Sequence, residues 1–177
     1  YKRQIDKSLR SKLQKVFNIS RPAIEKKEIS DDGTIKYLFC LEDQSKIETV
    51  FIPEEKRSTL CISSQVGCTL NCSFCHTGTQ KLVRNLSSQE IVGQVIAVYD
   101  DLGLWEKKRV NSSHSSCFEI ITNIVFMGMG EPLLNYEEVK KACIILMDNK
   151  GLDFSRRRIT LSTCLLYTSD AADETVR

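Results

Sequence analysis

The spacing of apolar residues predicts alternating strands and helices along most of this chain. Between Ile5 and Phe17, apolar residues recur at helical spacing among lysines and arginines, which predicts a basic amphipathic helix. Its charged face fits either solvent or RNA contact. Residues 35–40 and 47–52 are rich in β-branched and aromatic side chains and flank a polar turn. They therefore predict a β-hairpin.

The second part of the chain repeats strand, loop and helix. The predicted elements are a strand at 59–63, a helix opened by the capping box Ser87-Ser88-Gln89-Glu90, a polar loop at 105–118, a strand at 120–127 that is apolar enough to be covered on both faces, a helix capped by Asn135 and stopped by Gly151, and a strand at 158–162. This order predicts right-handed βαβ units around a parallel sheet. Active sites of such sheets gather at the carboxyl ends of the strands.

Composition favours a globular, reduced protein. The 177 residues are 41% apolar and 27% charged, and they contain neither a signal-peptide pattern nor an apolar run of about 18 residues. We therefore expect a soluble cytoplasmic protein with no membrane contact. The eight cysteines are expected to be reduced, because disulfide frameworks occur mostly in shorter, more cysteine-rich chains. A net charge of +2 is too small to indicate a nucleic-acid partner by itself.

Three closely spaced cysteines predict a metal site. Cys68, Cys72 and Cys75 follow the strand at 59–63 and can turn inward from one short loop. A structural zinc ion or a fully ligated iron-sulfur cluster normally takes four protein ligands. Three ligands leave one coordination position for a substrate or cofactor, whereas a zinc site would recruit His76 or Cys61 as the fourth.

A glycine-rich turn follows the next predicted strand, at the same edge of the sheet. Gly128-Met129-Gly130-Glu131-Pro132 lets the backbone approach a ligand closely and offers amide donors. The Glu131 carboxylate can receive an ammonium group. The cysteine loop and this turn are therefore expected to converge on one site.

These motifs together resemble a known family. The cysteine triplet followed by Met127-Gly128-Met129-Gly130-Glu131-Pro132-Leu133 resembles radical S-adenosylmethionine enzymes. More narrowly, the segments 60–68 and 158–163, Leu-Cys-Ile-Ser-Ser-Gln-Val-Gly-Cys and Arg-Ile-Thr-Leu-Ser-Thr, are similar to those of the RlmN/Cfr adenine methyltransferases. The resemblance covers about residues 5 to 163 and is closest to the RlmN type.

The resemblance implies a cofactor set and its ligands. Cys68, Cys72 and Cys75 would bind a 4Fe-4S cluster whose fourth iron stays open to the amino and carboxylate groups of S-adenosylmethionine. Gly130 and Glu131 match the segment that binds the methionine end of this cofactor, and Ser162 matches a further cofactor contact. The fold implied is α/β: the first part of a radical-SAM partial (βα)6 barrel, preceded by a small helical and β-hairpin N-terminal region.

Two further residues acquire roles only through the resemblance. Taken alone, Cys61 would be a buried strand cysteine and Glu48 a solvent-facing strand residue. By correspondence with the family, Glu48 is the proton acceptor, and Cys61 helps to release a covalently attached RNA base together with a methyl-carrying cysteine near the carboxyl terminus. We therefore predict Glu48 and Cys61 as catalytic residues.

The implied reaction is methylation of adenine C2 in 23S ribosomal RNA and transfer RNA. Because this carbon is not acidic enough for ordinary methyl transfer, a radical path is required, and the base must be flipped out or single-stranded. An external electron donor such as flavodoxin or ferredoxin and a monomeric full-length enzyme are also implied. The alternatives are Cfr-like C8 methylation and, from another class, a non-catalytic zinc-stabilised RNA-binding module.

The sequence also predicts a division of the chain. We expect a remnant of an accessory RNA-facing domain at 1–30, a hairpin extension at 31–58, the first half of the barrel at 59–163, and an adaptor-derived, non-native tail at 164–177. The chain begins with Tyr1 rather than methionine, and the expected methyl-carrying cysteine is not among its family motifs. On this interpretation it is a truncated fragment, catalytically incompetent alone, with an open sheet edge and low solubility.

Overall fold

A six-stranded mixed sheet organises the chain in the computed structural model, which describes residues 6–16, 20–70, 72, 75–105 and 121–165. The elements, in chain order, are α1 (Lys7–Val16), β1 (Ala23–Ile29), β2 (Ile35–Cys40), β3 (Lys46–Pro53), β4 (Ser58–Cys61), β5 (Gln65–Val66), β6 (Arg84–Asn85), α2 (Ser88–Asp101), β7 (Asn123–Phe126), α3 (Tyr136–Met147) and β8 (Ile159–Leu161). Strands β1, β2, β3, β4, β7 and β8 form the large sheet in that order, and β5 and β6 form a separate pair.

The amino-terminal half of the sheet is antiparallel. The predicted hairpin is confirmed, since β2 pairs with β3 in the register that sets Leu38 opposite Glu48. Strand β1 was not predicted, because its central Glu-Lys-Lys-Glu run is charged and every residue of the strand is exposed. It pairs with β2 and continues the sheet. The turn between them contains Gly33 at a φ of +82°, a value that favours glycine.

The second half of the sheet is parallel, as predicted. Strand β4 pairs in parallel with β7, and β7 pairs in parallel with β8. Helix α2 lies between β4 and β7 in the sequence, and α3 lies between β7 and β8. The α/β class is therefore confirmed as a mixed α/β fold in which the carboxyl ends of β4, β7 and β8 lie at one edge.

Helices α2 and α3 cover one face of this sheet. The capping box is confirmed, because the Ser87 side chain accepts from the Glu90 amide while Glu90 accepts from the Ser87 amide. The buried side of α2 shares one apolar core with alternate residues of the strands, among them Tyr37, Phe39, Ile47, Leu60 and Ile124. The fold thus leaves the opposite face of the sheet to other uses.

Strand β7 differs from the expectation that it is covered on both faces. Ile124 and Phe126 are buried, whereas Asn123 and Val125 are only half-buried. The helices pack against a single face, so the buried pattern alternates along the strand.

Asn135 also differs from its predicted role. It precedes α3, but its side chain makes no capping bond. Instead the Asn135 amide donates to the carbonyls of Ser64 and Leu86, both at 2.8 Å. A 3-10 turn, Pro132–Asn135, leads into α3, so the helix start is tied to the loop after β4. Helix α3 ends at Met147 and Gly151 lies in the turn after it.

The remaining predictions concern the surface. The basic amphipathic helix is confirmed as α1, where Leu9, Leu13 and Val16 are exposed. The predicted polar loop lies almost entirely within 106–120, outside the described residues. None of the described helices is long and apolar enough to cross a membrane.

Candidate metal and cofactor site

The three predicted metal ligands lie on a loop that is closed at its base. This loop leaves the sheet after β4 and runs between β5 and β6, which pair with each other. The Cys68 amide donates to the Gln80 carbonyl at 3.2 Å. Gly67 permits this approach, because its φ is +74° and a Cβ there would lie 2.1 Å from the carbonyl oxygen of Lys81. The Cys72 carbonyl accepts from the Cys75 amide at 3.1 Å. The loop therefore has a fixed entry and exit.

The glycine turn after β7 packs against the backbone that leads into the cysteine loop. The Gly128 amide donates to the Ile62 carbonyl at 3.1 Å, and a Cβ at Gly128 would lie 2.7 Å from that oxygen. Gly130 has a φ of +91°, and its Cβ would lie 2.4 Å from the Cβ of Gln65. The Gln65 Oε1 atom accepts from the Glu131 amide at 2.8 Å. Both glycines are thus required by direct contact between the two segments.

The two segments enclose one cavity of about 280 Å³. Six of the eight predicted site residues border it: Cys68, Cys72, Cys75, Gly130, Glu131 and Ser162. The other lining residues are Leu70, Thr77, Phe126, Met127, Gly128, Thr163 and Cys164. A second cavity, beside Pro22 and the start of α2, contains none of the predicted site residues. The predicted convergence of the cysteine loop and the glycine turn is therefore present.

Glu131 is a buried carboxylate, only 3% exposed, at the wall of this cavity. Its Oε1 atom accepts from the Leu133 amide at 3.0 Å, and its Oε2 atom accepts from the Cys164 amide at 2.9 Å. Backbone amides thus orient both oxygens. A carboxylate with further lone pairs can also accept from an ammonium group.

The cysteine thiols form a donor set that fits a soft metal centre. Burial raises the pKa of the Cys68 thiol. A hydrogen bond from the Leu70 backbone opposes this, and the nearby Cys72, Cys75 and Glu131 raise the pKa further. A bound metal deprotonates its coordinating thiols. Among the described residues, no three His, Cys, Asp or Glu side chains already stand close enough to hold a metal ion. Binding a metal ion or cluster would therefore require the Cys68, Cys72 and Cys75 thiols, which border the same cavity, to move closer to one another.

Cys61 lies at the end of β4, just outside the cavity lining. Its side chain is half-buried on the sheet face that the helices do not cover. Burial raises the pKa of the Cys61 thiol, while a hydrogen bond from the Met127 backbone lowers it. Met127 itself borders the cavity. Cys61 therefore contacts the cavity lining through Met127 but does not itself line the cavity.

Glu48 lies farther along the same sheet face. It is two residues from Val50, which pairs directly with Cys61, so all three side chains point to one side of the sheet. Its carboxylate forms a 2.7 Å ion pair with Lys36, and both side chains are substantially exposed. Glu48 borders a shallow cavity that lies between β1, β2 and β3 rather than the cysteine cavity. The structure therefore places the two predicted catalytic residues on one surface but not in one pocket.

The remaining cysteines and His76 do not join the site, with one exception. His76 is exposed and does not line the cavity, while Cys40 lies on β2 and Cys143 on α3. Cys117 lies outside the described residues. Cys164 does border the cavity, and a hydrogen bond with the Cys72 side chain, followed by burial, raises the pKa of its thiol to about 11. The sequence interpretation had set it aside as part of a non-native tail.

Buried polar residues behind the cavity were also missed. Ser63, Gln65, Gln94 and Asn135 are all buried, and their hydrogen bonds link α2, the loop after β4 and the glycine turn. Their sequence positions carry no signal of this, because a polar residue on a helix or after a strand is usually exposed.

Comparison with known proteins identifies close relatives. No protein-family model matches the chain. It is 55% identical over 157 residues to the dual-specificity RNA methyltransferase RlmN of Paracoccus denitrificans. This match covers 89% of this chain and 39% of that protein. It is 56% identical over 168 residues to the RlmN protein of Brucella melitensis, covering 91% of this chain and 41% of that protein. The chain thus spans about two-fifths of the length of these relatives.

A solved structure agrees with the relatives in sequence and in fold. A radical SAM methyltransferase from Sphaerobacter thermophilus superposes with a TM-score of 0.77 at 39% identity, over 91% of this chain and 44% of that chain. The resemblance inferred from the motifs is therefore confirmed: this chain is a homologue of the RlmN-type radical SAM methyltransferases over most of its length.

Proposed function

We propose that this chain is part of a radical SAM RNA methyltransferase and that its cysteine cavity holds a 4Fe-4S cluster and S-adenosylmethionine. The observation that carries the proposal is the position of three cysteines and a Gly-Glu turn on one cavity, with a buried carboxylate beside the thiols. A structural zinc site would instead be expected to have four protein ligands and no open coordination position.

In this proposal each cavity residue has one task. Cys68, Cys72 and Cys75 hold the cluster and leave one iron free. Gly130 offers a close backbone approach, Glu131 accepts from the ammonium group of the cofactor, and Ser162 makes a further polar contact. When bound, the cluster and cofactor supply radical chemistry that can act on unactivated carbon. The protein binds and orients these groups.

Glu48 and Cys61 would act on the RNA base rather than on the cofactor. The proposed task of Glu48 is to accept a proton, and that of Cys61 is to release the base covalently attached to the enzyme. Their shared sheet face supports this division, because a base approaching that face would meet Cys61 beside Met127 of the cavity and Glu48 farther along the same face. The Lys36 ion pair with Glu48 is exposed, so it costs little to break when a base arrives.

The proposed substrate is an accessible adenine of 23S ribosomal RNA and of transfer RNA, methylated at C2. The dual specificity in the names of the relatives supports two RNA classes. Flavodoxin or ferredoxin as electron donor, a monomeric full-length enzyme and a cytoplasmic location belong to the same proposal. So do the partial (βα)6 barrel, with β4, β7 and β8 as its first strands, and the division at residues 30, 58 and 163.

Metal analysis of the chain tests this function directly. After anaerobic reconstitution with iron and sulfide, we expect about four irons per chain and an electron paramagnetic resonance signal of the reduced cluster that changes on adding S-adenosylmethionine. Cys68→Ala should lose both. Cys143→Ala is the matched control, because that cysteine lies on α3 away from the cavity. Stoichiometric zinc with no cofactor-sensitive signal would replace the proposal with the zinc-stabilised RNA-binding module.

A further inference from the structure

Gln94 is a polar side chain sealed in the core of the fold. It lies on α2 between the buried residues Ile91 and Val95 and has no exposed surface. Burying a side-chain amide is costly unless its hydrogen bonds are satisfied. The partners of Gln94 therefore indicate why an amide occupies a position that would otherwise suit an apolar residue.

Both main-chain groups of one residue, Ser63, bind to this amide. The Gln94 Oε1 atom accepts from the Ser63 amide at 2.9 Å, and its Nε2 atom donates to the Ser63 carbonyl at 3.0 Å. Oε1 also accepts from the Thr49 hydroxyl at 2.8 Å. Ser63 lies just after β4, where the chain has left the strand ladder. Gln94 thus supplies the hydrogen bonds that the sheet no longer provides.

The Ser63 hydroxyl in turn binds the glycine turn after β7. It donates to the Glu48 carbonyl at 2.6 Å and accepts from the Met129 amide at 2.9 Å. A Cβ at Gly128 would lie 2.8 Å from this hydroxyl oxygen. Ser63 therefore contacts the strand of one predicted catalytic residue and the turn that presents Glu131.

The same short segment leads into the cysteine loop. Cys68 follows Ser63 by five residues, and the intervening Gln65 binds the Glu131 amide through its side chain. A displacement of Ser63 would change the separation between the thiols and the Gly130-Glu131 pair. Core hydrogen-bond networks that are fully satisfied hold such separations rigidly.

We propose that Gln94 is a positioning residue that sets the affinity for S-adenosylmethionine without touching it. It fixes Ser63, and Ser63 fixes the Gly130-Glu131 turn relative to the cysteine loop. Gln94 is not among the residues lining the cavity, so its effect on cofactor binding would be indirect. This inference rests on the proposed function, because it requires the cavity to bind the cofactor.

The test compares variants of the reconstituted chain by two separate readouts. Iron per chain reports cluster binding, and titration of the cluster's electron paramagnetic resonance signal with S-adenosylmethionine reports cofactor affinity. Gln94→Met keeps the side-chain length and removes the hydrogen bonds. We expect it to keep its iron and to bind the cofactor about tenfold or more weakly, as loss of one or two buried hydrogen bonds would produce.

Two further variants separate positioning from a loss of stability. Thr49→Val removes the hydroxyl that donates to Gln94 Oε1 but leaves the two bonds to Ser63 and the 3.4 Å bond to the Glu90 carbonyl, so it should lower the unfolding midpoint without changing cofactor affinity. Ser63→Ala removes the hydroxyl that binds both the Met129 amide and the Glu48 carbonyl, and it should weaken cofactor binding like Gln94→Met. It decides the question if Gln94→Met does not fold.

The outcomes separate the inference from the function on which it rests. Unchanged cofactor affinity in the iron-loaded Gln94→Met or Ser63→Ala chain would overturn the inference, as would equal weakening by Thr49→Val. Loss of iron in both Gln94→Met and Ser63→Ala would assign the network to structure alone and also overturn it. If the unaltered chain loads iron but does not respond to S-adenosylmethionine, the proposed function itself fails.

Discussion

The carboxylate of Glu131 is buried at the wall of an open cavity. Buried carboxylates are usually paired with a cation or satisfied by hydrogen bonds. Within the described part of the chain its oxygens accept only the two backbone amides already named. A carboxylate in such a place is costly to keep charged. An ammonium group in the cavity would offset part of this cost, so we expect Glu131 to contribute to cofactor affinity as well as to the shape of the turn.

We predict that Glu131→Gln weakens S-adenosylmethionine binding while the cluster is retained. The new side-chain amide has a single acceptor oxygen, so it keeps the hydrogen bond from Leu133 or from Cys164 but not both. The charge attraction to the cofactor is lost as well. The expected loss is about tenfold or more, since hydrogen bonds to charged groups contribute about 1.5–3 kcal/mol. Cofactor titration of the reconstituted chain measures it. Glu137→Gln, at an exposed position on α3, removes the same charge elsewhere, and an equal loss there would contradict the prediction.

Cys164 is a fourth thiol beside a site that is proposed to need three. Its amide binds Glu131 and its thiol interacts with Cys72. A thiolate at the remaining coordination position would compete with the cofactor. We predict that Cys164→Ser leaves the iron content unchanged and strengthens the response of the paramagnetic signal to S-adenosylmethionine. An unchanged response would show that Cys164 does not reach the metal.

At the scale of elements, the sequence predicts best where local chemistry decides. The Ser87 capping box defines the start of α2, and the hairpin of β2 and β3 follows from its apolar pattern. Strand β1 could not be predicted from its pattern, because its Lys-Lys-Glu run depends on pairing with β2. Asn135 was misassigned for a similar reason: capping is a local preference, whereas its actual partners, Ser64 and Leu86, are distant in sequence.

The candidate site follows the same division. The cysteine spacing and the glycine turn predicted a shared edge, because parallel strands end together. Gln94 could not be predicted, since its hydrogen bonds to Ser63 span 31 residues. The position of Glu48 relative to the cavity also depends on the register of β3 with β4. Local motifs therefore predict the candidate ligands, whereas the contacts that support them depend on the tertiary structure.

The starts of α2 and α3 are joined by Glu138, and this contact should depend on pH. Its carboxylate accepts from Lys141 and from the Ser88 amide at the first residue of α2. The Lys141 hydrogen bond, followed by that of Ser88, lowers the pKa of Glu138 to about 2, from an ordinary value of 4.5. Because the folded-state pKa is lowered, the stabilisation is present above about pH 4.5 and is lost as the pH falls toward 2.

We predict that Glu138→Gln lowers the stability of the chain at neutral pH by a small amount, as solvent screening requires. The difference from the unaltered chain should shrink as the pH falls toward about 2, where the carboxylate becomes protonated. Urea midpoints across this range measure it. Glu137→Gln serves as control, since it removes a neighbouring carboxylate that is not the one bound to the Ser88 amide. A difference that stays constant with pH would contradict the assignment.

At the scale of the whole molecule, the two faces of the sheet differ: one packs against the helices, and the other carries the predicted catalytic residues. One face carries the apolar core with α2 and α3. The other carries Glu48, Val50, Cys61 and Val125, all only half-buried, and the cysteine cavity opens at its edge. In the proposed function, an RNA base would approach the predicted catalytic residues from this second face without disturbing the core.

The proposed reaction can be tested by transplanting this chain into a longer relative. The 157 matched residues would replace the corresponding segment of the Paracoccus denitrificans protein, to which they are 55% identical. Because this chain carries the cysteine cavity, the sheet face with Glu48 and Cys61, and the hydrogen bonds that support them, we predict that the chimera methylates adenine at C2 in ribosomal and transfer RNA. Mass spectrometry of digested RNA measures the product, and the Cys68→Ala chimera should give none. Methylation only at C8 would instead support the Cfr-like alternative, and a folded, iron-loaded chimera with no methylated product would contradict the proposed function of this segment.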